Sequence, residues 1–165
     1  MKPKSPKALI FYFLMSLILL DFGRQIEIIS YRPAVANFKN SIFSIEHIYN
    51  SGSAFGMFQN ATLFLSVFAF CVSVLLFIFV YKNIKFQDKF LLLSFTLINA
   101  GTLGNLIERI KLHHVVDYIK LSFVNFPIFN MFDIMICLGI TIYVVFVLID
   151  IEQIKKRLNK NGNSN

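Results

Sequence analysis

Two aspartates stand where charge is costly. Asp133 is the one charged residue in the twenty-nine-residue stretch from Leu121 to Ile149, and Asp117 sits between Val115-Val116 and Tyr118-Ile119. An ionisable side chain in so apolar a run is a functional candidate by default. Two carboxylates held together in a partly desolvated site cannot both ionise easily, so one keeps a proton near neutral pH. Such a pair suits peptide hydrolysis. One carboxylate takes a proton from water while its protonated partner polarises and protonates the scissile carbonyl. A plainer reading of Asp133 is helix capping at the outer end of a span, since Phe129-Asn130 precedes it. The two aspartates lie sixteen residues apart, so an excursion containing Pro127 has to bring them together.

Other polar residues fall into short blocks. Asn105 and Arg109 are one helical turn apart and share a face. Gly101 and Gly104, within Ala100-Gly101-Thr102-Leu103-Gly104-Asn105, permit close helix or substrate approach. Asn50-Ser51-Gly52-Ser53-Ala54-Phe55-Gly56 offers backbone donors beside one amide side chain. His47, His113 and His114 lack a metal-ligand spacing with nearby cysteines or acids, and an interfacial loop accounts for the adjacent pair. Cys71 and Cys137 each lie inside an apolar run and read as small apolar residues that face lipid or pack. No serine has the context of a hydrolase elbow, and no glycine-rich loop carries a phosphate-binding lysine. Neither a metal nor a cofactor is called for.

These residues need elements to position them, and composition says which kind. Of 165 residues 56% are hydrophobic and only 15% charged. A soluble domain of this length sits near 45–50% and about 25%. Lipid must therefore be the solvent for much of the surface. Spans are expected at roughly 8–24, 61–81, 90–107 and 131–149. The first follows a short basic stretch in the manner of a secretory signal. The only small-residue cleavage pattern, Ala34-Val35-Ala36, lies too far downstream, so it is expected to be retained as a span. Residues 152–165 read as a basic, disordered cytoplasmic tail.

The net charge of +7 suggests nucleic acid until its distribution is considered. The N-terminus, the 82–89 loop and the tail hold ten of the sixteen basic residues. By the positive-inside rule both termini are cytoplasmic, the two longer loops face outward, and the charge is a topology signal rather than a nucleic-acid patch. Ile26, Ile28, Ile42, Phe43, Ile45 and Ile48 are β-favouring residues in the segment after the first span. They predict a small extracytoplasmic β element between spans one and two, in an otherwise all-α membrane protein of one domain.

Four blocks, in order, resemble lipoprotein signal peptidase, also called signal peptidase II. Asn50 to Gly56 resembles the family's Asn-Thr-Gly-Ala-Ala-Phe-Gly, and Gly101 to Arg109 its Gly-Gly-x-x-Gly-Asn-x-x-Asp-Arg region. Val115 to Ile119 is similar to the block of the first catalytic aspartate, and Phe129 to Asp133 to the Phe-Asn-x-Ala-Asp of the second. The resemblance implies a bacterial inner-membrane aspartyl endopeptidase with its site near the extracytoplasmic face. It would cut prolipoproteins on the amino side of a diacylglyceryl-cysteine, with Asp117 and Asp133 catalytic. It further implies that Asn50, Gly52, Asn105, Arg109 and Asn130 line the site, that membrane lipid is a partner, and that globomycin-type inhibitors bind. Asp21 is the one match to the family's Asp-Gln-x-Thr-Lys, where this chain reads Asp21-Phe22-Gly23-Arg24-Gln25. Two further departures are Glu108 in place of aspartate and Phe132 in place of alanine. The ring of Phe132, beside a catalytic carboxylate, is expected to narrow the pocket or to raise the carboxyl's pKa.

Overall fold

Apolar runs of this length leave the backbone no partner but itself in lipid, and only a helix satisfies every peptide group within one segment. The computed structural model, which describes residues 6–53, 57–83 and 89–162, has four such helices. They are α1 (Pro6–Ser30), α3 (Thr62–Asn83), α4 (Lys89–Leu112) and α5 (Met131–Gly162). Each is at least 22 residues long, which at about 1.5 Å per residue exceeds a hydrocarbon core of about 30 Å. This is a multi-pass membrane protein. A single turn, α2 (Pro33–Ala36), and two strands, β1 (Phe43–Asn50) and β2 (Val115–Leu121), complete it.

The helix α4 is central, packed against α1, α3 and α5. Its polar residues Ser94, Thr96, Asn99, Thr102, Asn105 and Glu108 are all buried, because they face protein and not lipid. Ser73 of α3 donates to Asn99 Oδ1 at 2.7 Å, and Asn99 Nδ2 donates to Ser16 of α1 at 3.4 Å. Ser94 donates to the Gly139 carbonyl of α5 at 2.8 Å. Interhelical hydrogen bonds of this kind contribute about 0.6 kcal/mol each on average. By contrast α3 leaves Phe64, Val67, Phe68, Phe70 and Leu75 exposed, as a lipid-facing helix should.

Expectation and structure differ at both ends of the helical run. Ile26 and Ile28 belong to α1, which continues to Ser30 instead of giving way to β structure. No Pro or Gly interrupts it between Gly23 and Pro33, and β-branched residues cost a helix only a few tenths of a kcal/mol. At the other end, the expected disordered tail continues α5 to Gly162. The run carries no helix breaker before that glycine, and Lys156 pairs with Glu152 one turn earlier at 2.8 Å.

The β element is present, but its second strand comes from between α4 and α5. β1 and β2 pair antiparallel from Phe43 opposite Leu121 to Asn50 opposite Val115, with an irregularity between Ile45 and Ile48. This ties the two segments on the side opposite the termini into one cap. His113, at φ 64°, ends α4 in the left-handed conformation, and its N–H reaches the Arg109 carbonyl at 3.1 Å. The chain reverses there and enters β2.

Candidate functional site

Three elements converge on one end of α4. Val115, Val116, Asp117 and Tyr118 are each 2% exposed, so β2 is covered on both faces. Asn50 is opposite Val115, which makes Asp117 its diagonal neighbour on the same face. Asn50 Nδ2 accordingly donates to Asp117 Oδ2 at 2.9 Å. The sixteen-residue excursion closes through backbone: Ile119 N–H donates to the Phe129 carbonyl at 2.8 Å, and Phe129 N–H returns to Ile119 at 3.1 Å. That bridge delivers Asn130 beside Asp117, and Asn130 Nδ2 donates to Asp117 Oδ1 at 2.8 Å.

Asn130 also begins α5. Its side-chain Oδ1 accepts the Asp133 N–H at 3.0 Å, while its own N–H donates to Asp133 Oδ2 at 3.1 Å. This is a capping box with an aspartate in the returning position. The capping reading of Asp133 is therefore true of its geometry, and it is also what aims the carboxylate. The other oxygen, Oδ1, accepts from Asn105 Nδ2 at 2.9 Å, and Asn105 Oδ1 accepts from Asn130 Nδ2 at 3.1 Å. One asparagine thus touches both carboxylates, through its backbone on one side and its amide on the other.

Arg109 links this group to the loop before α3. Its Nη2 donates to the Gly52 carbonyl at 2.8 Å, and Gly52 N–H donates to Asn50 Oδ1 at 2.9 Å. Asn50, Gly52, Asn105, Arg109, Asn130, Asp117 and Asp133 therefore form one hydrogen-bonded set. Ala54, Phe55 and Gly56, part of the same block, lie outside the described residues. Asp21 is exposed on α1 and receives no hydrogen bond from the described residues. His114 packs against Tyr49, with ring centroids 4.7 Å apart.

Burial dominates the electrostatics of Asp117. Loss of water pushes its carboxyl up to about 6, and the Asp133 charge adds to the rise. The amides of Asn50 and Asn130 and the Arg109 guanidinium act in the opposite sense. At neutral pH such a group exchanges a proton readily, as an acid–base catalyst must.

Several contacts were not legible beforehand. Glu108 Oε2 accepts the Val116 N–H at 2.8 Å, holding β2 to the end of α4. Tyr118 Oη accepts the Met131 N–H at 3.2 Å, another orphan donor at the start of α5. Glu27 of α1 lies close to Glu108 of α4. Phe132 departs from expectation: its ring is 2% exposed and turns into the apolar core with Leu97, Ala100 and Met135.

Comparison with known proteins places this arrangement. The family described as Signal peptidase (SPase) II matches residues 13–149. The lipoprotein signal peptidase of Enterococcus faecalis is 30% identical over 161 residues, covering 94% of this chain and 98% of that protein. That of Clostridium tetani is 37% identical over 109 residues, covering 64% and 69%. Two bacterial membrane enzymes solved by the in meso method share the fold. One has a TM-score of 0.78 at 23% identity, over 93% of this chain and 95% of the other. The second has a TM-score of 0.73 at 24% identity, over 90% and 97%. With the matched region running from the first helix into the last, the chain belongs to the signal peptidase II family of membrane peptidases.

Proposed function

We propose that this chain is the aspartyl endopeptidase that removes the signal peptide of diacylglyceryl-modified bacterial prolipoproteins, cutting on the amino side of the lipidated cysteine. The observation that carries the reading is Asn130 holding Asp117 and Asp133 at once. The pair acts as a single acid–base unit with one shared proton. A water between the carboxylates loses a proton to the ionised member and attacks the carbonyl, which the protonated member polarises. The proton then passes to the leaving amine. Asn50, Asn105 and Asn130 keep the unit oriented, while Arg109 and Gly52 bind the substrate backbone. Asp21 stands at the lipid–water edge on the same side.

The residues form a single peptidase domain in the bacterial inner membrane, with both termini cytoplasmic and the site near the extracytoplasmic face. Basic residues flanking the terminal and 82–89 segments support that orientation. A site at the helix ends, between a surface cap and a lipid-facing belt, suits a peptide bond next to its lipid anchor. Globomycin-type inhibitors are expected to occupy it. The test is cleavage of a diacylglyceryl-modified prolipoprotein peptide and its unlipidated counterpart by purified enzyme. Asp117→Asn and Asp133→Asn should each lose at least about 10³-fold in kcat and still insert and bind globomycin. Full activity in either variant would refute the dyad.

A further inference from the structure

Phe132 precedes Asp133 in the first turn of α5 and is among the largest fully buried side chains. Its ring lies against glycine on two different helices. A methyl carbon built at Gly23 of α1 would overlap ring atom Cε1 and come within 2.9 Å of Cδ1. One built at Gly104 of α4 would overlap the same edge of the ring and lie 2.5 Å from Cγ. The Cδ1–Cε1 edge of the ring thus occupies the space that glycine leaves on both α1 and α4. Glycine is poorly suited to a helix interior, and here both positions are filled by the volume that its missing side chain leaves.

We propose that Phe132, Gly23 and Gly104 form an interlock that sets the rotation of the first turn of α5 and thereby positions Asp133. Successive side chains on a helix are separated by about 100°, so a wedged ring at 132 dictates where the carboxylate at 133 points. That direction is toward Asn105 Nδ2 and the Asn130 N–H, which donate to the two carboxylate oxygens. Phe132 is a positioning residue, and it requires glycine at both 23 and 104. The proposal rests on the reading of Asp133 as catalytic.

The test is a double-mutant cycle read in kcat and KM with the lipidated peptide, alongside thermal unfolding in detergent. Gly23→Ala displaces the ring and should lower kcat about 10- to 100-fold, the scale expected for a misplaced catalytic group, with KM within about threefold. Phe132→Ala empties the slot and should lower kcat less. Gly23→Ala combined with Phe132→Ala should recover most of the loss seen in Gly23→Ala alone. If Gly23→Ala fails to accumulate, restored accumulation and activity in the double variant support the interlock, and their absence overturns it. Wild-type kcat in Gly23→Ala, or a double variant no better than Gly23→Ala, also overturns it. Asp133→Asn in the same assay separates the two claims. An active Asp133→Asn refutes the dyad, whereas an inactive one beside an uncoupled cycle refutes only the interlock.

Discussion

Asp117 is a carboxylate that the protein keeps partly protonated, and its direction of shift has a pH consequence. The step near about 6 is loss of the dyad's remaining proton, because the negative charge of Asp133 contributes to it. Activity requires that proton, so kcat/KM should fall about tenfold per unit as pH rises beyond this step. Bound lipidated substrate excludes more water, so the corresponding limb of kcat should lie higher. A pH–rate profile with no alkaline limb below pH 9 would contradict the assignment. The same shift enters stability. The folded state holds more protons than the unfolded state between the ordinary aspartate range and about 6. Stability therefore falls as pH rises through that window, by at most about 3 kcal/mol. At this scale the members of one hydrogen-bonded group were largely legible. Asp117, Asp133, Asn50, Asn105, Arg109 and Asn130 lie in recognisable blocks, and all six join one network. The facing of Phe132 was not legible, since adjacency in sequence says nothing of which side a ring takes.

The strand β2 is held at its start by devices local to its neighbours. His113 bears left-handed strain to turn α4 into β2. Replacing it with glycine should stabilise the protein by about 0.5 kcal/mol, strain relief exceeding the added entropy of the unfolded chain. Thermal unfolding in detergent checks this, and a lower Tm would assign the imidazole a contact of its own. The Val116 N–H depends on Glu108. Glu108→Ala should cost about 1–3 kcal/mol by leaving that buried donor unpaired, whereas Glu108→Gln, which keeps an acceptor, should remain near wild type. Equal losses in both variants would mean that the charge matters more than the hydrogen bond. The helices were readable from their apolar runs, but their ends were not. Ile26 and Ile28 have β preference yet remain helical because nothing stops α1 before Ser30.

Across the whole molecule, the helices carry the sheet cap and the site at the end opposite the first turn of α1 and the last turn of α5, and the proposed orientation puts that end outside the cell. In a variant lacking Cys71 and Cys137, a cysteine at exposed Asn125 should react with an impermeant maleimide in intact cells. One at exposed Glu152 should react only after lysis. The reverse pattern would invert the orientation. The polar character of α4 also belongs to this scale. Ser94, Asn99, Thr102 and Asn105 look unfavourable for a span, and they are tolerated because three other helices surround them.

What the sequence determined by itself was local and additive. Transfer of each residue into lipid sums over a contiguous run, so the spans follow from hydropathy without knowledge of the fold. The capping position of Asp133 was likewise local, set by Asn130 three residues earlier. Only the tertiary structure decided that β1 pairs with β2, that Asn50 reaches Asp117 across 67 residues, and that Phe132 wedges against Gly23. Such contacts join chain segments whose separation carries no local signature, and they form because packed helices leave one arrangement that satisfies every buried donor and fills the space.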